Sequence, residues 1–119
     1  MGGSSMGGYI SMAASLSYPN QLSGVFCLSN AWWFNYHSMV ARIRQFDGQL
    51  PKIYLDTGTK ESSNAKVRKA YRDMHDSITS ELRQKSPKKL ISRMIKKAEH
   101  NEAEWDKRFD EVLIELLKD

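Results

Sequence analysis

The stretch Gly3-Ser4-Ser5-Met6-Gly7-Gly8 governs how the rest of the chain is read. Its first five residues fit the spacing G-x-S-x-G, and the frame selects Ser5 over Ser4. A serine in this spacing sits on a sharp turn that feeds a helix; the flanking glycines let neighbouring backbone approach, and Oγ is left exposed as a nucleophile. The backbone N–H of Met6, at the helix N-terminus, then becomes a candidate oxyanion-hole donor. A glycine- and serine-rich beginning is also what a flexible tail looks like, so the motif needs support from further along the chain.

Working outward, Met6, Ile10, Met12, Ala13, Ala14 and Leu16 predict a buried helix over 6–18 that stops before Pro19. Val25-Phe26-Cys27-Leu28 has the length and character of a buried strand, halted by Ser29 and Asn30. A short helix is expected over about 36–46, with a turn at Asp47-Gly48. Ile53-Tyr54-Leu55 predicts a second buried strand, opened by Pro51 and closed by Thr57-Gly58. Val67, Tyr71, Met74, Ile78 and Leu82 recur at helical spacing and predict a long amphipathic helix over about 65–85, ended by Ser86-Pro87. Trp105, Phe109, Val112, Leu113 and Leu116 mark a last helix over about 103–117. Between these two, Leu90, Ile91, Met94, Ile95 and Ala98 fit a helix face better than strict alternation. Helices alternating with short apolar strands predict an α/β fold on a parallel sheet, with ligand-binding groups at the carboxyl ends of the strands.

The composition of the 119 residues, 40% apolar and 27% charged, suits one globular domain and excludes a disordered or collagen-like chain. No apolar run approaches the roughly 20 residues that span a bilayer, so no membrane association is expected. Cys27 is the single cysteine; it rules out an internal disulfide and a cysteine-rich zinc site, and reads as a buried strand residue. The net charge of +4 conceals a strong asymmetry, because no Lys, Arg, Asp or Glu occurs before Arg42. Arg83, Lys85, Lys88, Lys89, Arg93, Lys96 and Lys97 form a basic run without an acid. With no aromatic residue inside it to stack a base, and an acidic helix following, it reads as a solvated face and not as a nucleic-acid site. Neither a phosphate-cradling glycine loop nor a metal-ligand cluster is present in the sequence.

The remaining chemistry follows Ser5 in a consistent order. Asp56-Thr57-Gly58-Thr59-Lys60-Glu61 places two candidate carboxylates after a strand, and Glu99-His100-Asn101-Glu102 places a histidine before the last helix. A serine hydroxyl is a weak nucleophile until a histidine takes its proton, and that histidine needs a carboxylate to fix its tautomer. His37 and His75 have no such context, and His75, between Asp73 and Asp76, is expected to be solvated.

Four stretches, Gly3-Ser4-Ser5-Met6-Gly7-Gly8, Leu28-Ser29-Asn30-Ala31-Trp32-Trp33, Leu55-Asp56-Thr57-Gly58-Thr59-Lys60-Glu61 and Glu99-His100-Asn101-Glu102-Ala103-Glu104-Trp105, resemble the putative-esterase family of α/β-hydrolases. That group includes feruloyl and acetyl-carbohydrate esterases, enterobactin-type siderophore esterases and S-formylglutathione hydrolases. The resemblance implies a serine carboxyl-ester hydrolase with Ser5 as nucleophile, His100 as general base and Glu61 as the acid, with Asp56 as the alternative acid. It makes 90–97 the last strand, against the helical periodicity. Trp32 and Trp33 become candidates for the wall of an acyl or alcohol pocket, with plain core packing as the competing role. The implied substrate is a small-molecule or carbohydrate-linked ester, and no cofactor or metal is required.

The resemblance also implies a partial domain. Family members carry several strands ahead of the nucleophile turn, so residues 1–119 are expected to form one α/β-hydrolase domain truncated at that turn. About three parallel strands are expected, with the strand entering Ser5 absent and one sheet edge open to self-association. A truncated, non-catalytic fragment or interaction module is the competing expectation, and weak or no hydrolysis is expected of the chain alone.

Overall fold

In a computed structural model that describes residues 1–118, four strands form one parallel sheet in the order β1-β2-β3-β4. The chain alternates throughout: β1 (Gly2–Ser4), α1 (Met6–Ser17), β2 (Gly24–Leu28), α2 (Tyr36–Gln45), β3 (Lys52–Lys60), α3 (Ala65–Arg83), β4 (Lys89–Glu99) and α4 (Glu102–Leu117). The expected α/β class holds. The strand count differs, because Gly2–Ser4 does enter the turn at Ser5 as a strand, pairing with Phe26, Cys27 and Leu28. Three residues with no large side chain carry too little pattern to be read as a strand.

Strand order that follows chain order, joined by crossovers of one hand, stacks the crossover helices on one face. Accordingly Met12 of α1, Met39 and Ile43 of α2, and Ile78 and Leu82 of α3 pack with Val25, Cys27, Ile53 and Leu55 in the larger core. The opposite face presents Leu28 and Tyr54 to Val112 and Leu116 of α4, with Phe26, Ile91 and Trp105 packed against them. Successive residues of β2 and β3 thus serve opposite cores, which explains their unbroken apolar runs.

Two expectations about strands are corrected at the carboxyl end of the sheet. β3 does not close at Thr57-Gly58 but continues to Lys60, since β4 pairs with it as far as Lys60↔Glu99. Residues 89–99 form that partner strand, in line with the resemblance and against the periodicity. β4 lies at the sheet edge and most of it is neither buried nor fully exposed, so no clean two-residue alternation develops. The pairing slips between Gly58 and Lys60, where the backbones come so close that a Cβ on Gly58 would lie 2.2 Å from the Ala98 carbonyl oxygen. A glycine there lets the ends of β3 and β4 converge.

In α3, the buried stripe is His75, Ile78, Thr79 and Leu82. His75 is 2% exposed and not solvated; its Nε2 lies 2.8 Å from Ser92 Oγ, which is in turn 2.9 Å from Thr79 Oγ1. Val67 at the start of the α3 stripe is 41% exposed and Phe109 in the α4 stripe 37%, so both stripes are only partly covered, Phe109 packing edge-on against Phe26. No helix among the described residues is long and apolar enough to cross a membrane.

Candidate active site

Ser5 occupies the turn between β1 and α1 with φ 55° and ψ −119°, a conformation that costs a residue with a Cβ and persists only when its surroundings hold it. Those surroundings are specific. Ser5 N donates to the Leu28 carbonyl at 2.9 Å, and Ser5 O accepts from Tyr9 N and Ala31 N. The two outer glycines of the motif face one another: a Cβ on Gly3 would come within 2.7 Å of the Gly7 carbonyl carbon. Ser5 makes no side-chain cap to α1, so its hydroxyl is free for another partner. The N–H of Met6 is in the first helical turn, where no intrahelical acceptor exists, and no other acceptor takes it among the described residues.

The partner of the Ser5 hydroxyl comes from the far end of the chain. His100 Nε2 lies 3.0 Å from Ser5 Oγ, across 95 residues of sequence. His100 follows β4 directly and precedes α4, whose start is fixed by Asn101 Oδ1 accepting from Glu104 N at 3.0 Å. The imidazole packs edge-on against Trp105, 5.1 Å between ring centroids. On its other side, His100 Nδ1 lies 3.4 Å from Glu61 Oε1. That separation is longer than a full N–H···O hydrogen bond, yet neither atom has any other partner among the described residues, so they face each other without competition.

Glu61 is fit for a buried anion. Its side chain is fully screened from solvent, and burial pushes its carboxyl upward, but the facing His100 imidazole, the nearby Ser29 hydroxyl and the Gly58 N–H outweigh this and hold it below the usual range. The Gly58 N–H donates to Oε2 at 3.2 Å. Asp56, five residues earlier and within β3, is committed elsewhere. Its oxygens accept from Arg108 Nε (2.7 Å) and Nη2 (3.0 Å), from the Tyr54 hydroxyl (2.7 Å) and from Ser29 N (3.0 Å). A carboxylate has about four lone-pair directions, and these four donors fill them.

A cavity of about 520 Å³ opens beside His100 and Glu61. Val67, Ala70, Tyr71 and Met74 of α3 form one wall, and Trp32, Trp33 and Asn30 from the segment after β2 form another. Both candidate tryptophans reach it, in different ways: Trp32 is 2% exposed and is also core, whereas Trp33 is 54% exposed and its Nε1 donates to the Tyr71 hydroxyl at 3.1 Å. Burial raises the Tyr71 phenol, so the hydroxyl stays protonated. Burial likewise pushes the Cys27 thiol up to about 12, which leaves it inert beneath the site. No group of three or more side chains suited to a metal occurs among the described residues.

Sequence reading missed the Asp56–Arg108 pair, because 52 residues separate the partners and no local spacing links them. It also counted Tyr71 as core, when its phenol belongs to the cavity wall; a hydroxyl-bearing aromatic on an otherwise aliphatic stripe was the available signal.

The profile of the family described as "Putative esterase" matches residues 1–116. Solved structures that resemble the chain include the siderophore hydrolase EstA from Aspergillus nidulans, with 17% identity, TM-score 0.74, and coverage of 97% of this chain and 46% of that one. An IroE-like serine hydrolase from Shewanella oneidensis gives 18% identity, TM-score 0.72, and coverage of 92% and 37%. The S-formylglutathione hydrolase FrmB from Staphylococcus aureus gives 16% identity, TM-score 0.67, and coverage of 98% and 50%. At these identities the likeness establishes the fold, and the chain spans half or less of each structure. No curated protein matches the chain in sequence.

Proposed function

The chain belongs to the esterase family whose profile it matches, and from that premise we propose that it hydrolyses carboxylic esters through an acyl-enzyme on Ser5, with His100 as general base and Glu61 as the acid behind it. The observation that carries this reading is the 3.0 Å contact between Ser5 Oγ and His100 Nε2, made at a strained turn that heads a helix. Ser5 Oγ attacks the ester carbonyl carbon while its proton passes to His100 Nε2. Glu61 stabilises the imidazolium that forms and keeps Nδ1 protonated. The negative charge on the carbonyl oxygen is met by the Met6 N–H and the positive end of α1. Collapse of the tetrahedral intermediate breaks the C–O bond, and the alcohol leaves with the proton from His100. Water then attacks the acyl-enzyme, giving its proton to His100, and the acid is released as Oγ takes that proton back. No part of this sequence requires a cofactor.

Asp56 is the weaker choice for the acid, since its four hydrogen bonds leave nothing for an imidazole. The test is a rapid-mixing experiment with para-nitrophenyl acetate. A burst of para-nitrophenolate stoichiometric with protein, absent in Ser5→Ala, is expected; turnover of equal rate in Ser5→Ala would overturn the proposal.

A further inference from the structure

Lys66 stands in an electrostatically awkward place. It is in the first turn of α3, where the helix dipole favours anions, and α3 carries no acid in that turn, in contrast to α4 with Glu102 and Glu104. Its neighbouring cations are occupied: Arg68 donates to the carbonyls of Ser62 and Ser63, and Lys69 pairs with Asp73. The Lys66 ammonium has no ion pair or hydrogen bond among the described residues, yet the residue lines the cavity that contains His100. The one carboxylate on the cavity wall, Glu61, is buried and faces His100. Lys66 is exposed, so its hydrated ammonium is free to meet a ligand at the rim of the apolar wall of Trp33, Val67, Tyr71 and Met74, and the N-terminus of α3 adds its own positive end beside it.

Resting on the ester-hydrolase reading above, we propose that Lys66 is a specificity-determining residue, and that the preferred substrates are esters with an apolar segment next to the scissile bond and an anionic group, a carboxylate or a phosphate, at the far end. The apolar segment lies along Val67, Tyr71 and Met74, and the anion meets the Lys66 ammonium at the mouth. A local rule broken without a structural partner is the pattern expected at a functional position. A rim cation acts chiefly through capture of the substrate, so its effect falls on KM and weakens with salt.

The experiment compares mono-para-nitrophenyl glutarate, whose acyl end is a carboxylate, with para-nitrophenyl valerate, which is neutral and of similar length. Lys66→Gln is expected to lower the glutarate-to-valerate ratio of kcat/KM by about five- to tenfold, through KM, and added salt to lower the wild-type ratio. Lys66→Arg is expected to retain the ratio, and Lys69→Gln, paired outside the cavity, to leave it unchanged. A ratio unaffected by Lys66→Gln while turnover still depends on Ser5 would overturn this proposal and leave the hydrolase reading standing. Binding of 4-phenylbutyrate, followed by tryptophan fluorescence, tests the same residue without catalysis. At least about threefold weaker binding in Lys66→Gln is expected, and equal binding would overturn the proposal whatever the fate of the hydrolase reading.

Discussion

Among the described residues, two serine–histidine contacts are of nearly equal length, Ser5–His100 at 3.0 Å and Ser92–His75 at 2.8 Å, and their surroundings differ. Ser5 sits on a strained turn at a helix head, and His100 has a buried carboxylate at its second nitrogen and an open cavity alongside. Ser92 lies within an extended strand, its hydroxyl shared with Thr79, and the second nitrogen of His75 is buried with no partner among the described residues. Hydrogen-bond distance therefore does not distinguish the proposed nucleophile pair from a packing contact. The discriminating features are an anion to hold the imidazole tautomer, donors aimed where charge would develop, and access.

Applying one substitution to both serines breaks the comparison most sharply. Ser5→Ala is expected to abolish the para-nitrophenolate burst and the slow turnover that follows it, with little change in stability. Ser92→Ala is expected to leave turnover within about twofold while costing about 1–3 kcal/mol in a urea titration, because it strands a buried imidazole nitrogen.

The two acids at the carboxyl end of β3, Asp56 within it and Glu61 just after it, give the next largest contrast. Glu61→Gln is expected to lower kcat by about 10²–10⁴-fold, since the imidazole loses its tautomer and its counter-charge. Asp56→Asn acts on the fold instead: Arg108, 8% exposed, would be left as an uncompensated buried cation. A loss of about 3–5 kcal/mol is expected, read from the urea midpoint, with kcat of the folded fraction nearly intact. The opposite ranking would move the proposed triad to Asp56.

His75 supplies a smaller effect with a definite sign. Burial lowers its pKa below the ordinary value, outweighing the attraction of Asp76 and Asp56. The unfolded chain therefore takes up a proton that the native imidazole resists, so stability is unaffected above the ordinary imidazole range of about 6.5 and falls as pH drops below it. In His75→Gln, which retains a group able to bond Ser92, the decline between pH 7 and 5 is expected to be shallower. An equal decline in both proteins, measured by thermal unfolding, would remove His75 as its source. Smallest is the effect expected at Cys27: fully buried and with a raised pKa, it should resist iodoacetamide in the native protein and react in urea.

Several of these contrasts were legible in the sequence and several were not, for physical reasons. The larger core could be read because β2 and β3 are buried on both faces and α3 shows a helical repeat. Within α3, however, one stripe serves two purposes: Ile78 and Leu82 enter the core, Val67 and Tyr71 line the cavity, and Met74 does both. His75 precedes Ile78 by three residues and Leu82 by seven, which is the spacing of the buried face, but flanking aspartates made it look solvated. β4 was ambiguous because an edge strand, half covered on both faces, need not alternate. The candidate residues Ser5, Glu61 and His100 could be named from motifs. Which carboxylate faces His100 depends on Arg108 capturing Asp56, a pairing that exists only after α4 has packed across the sheet.

The most direct test of the central claim is to treat the native chain with a serine-directed fluorophosphonate and map the adduct by peptide mass spectrometry. The account predicts one adduct on Ser5, none on Ser92, and no labelling in Ser5→Ala. An adduct on another residue, or labelling that survives Ser5→Ala, would contradict it.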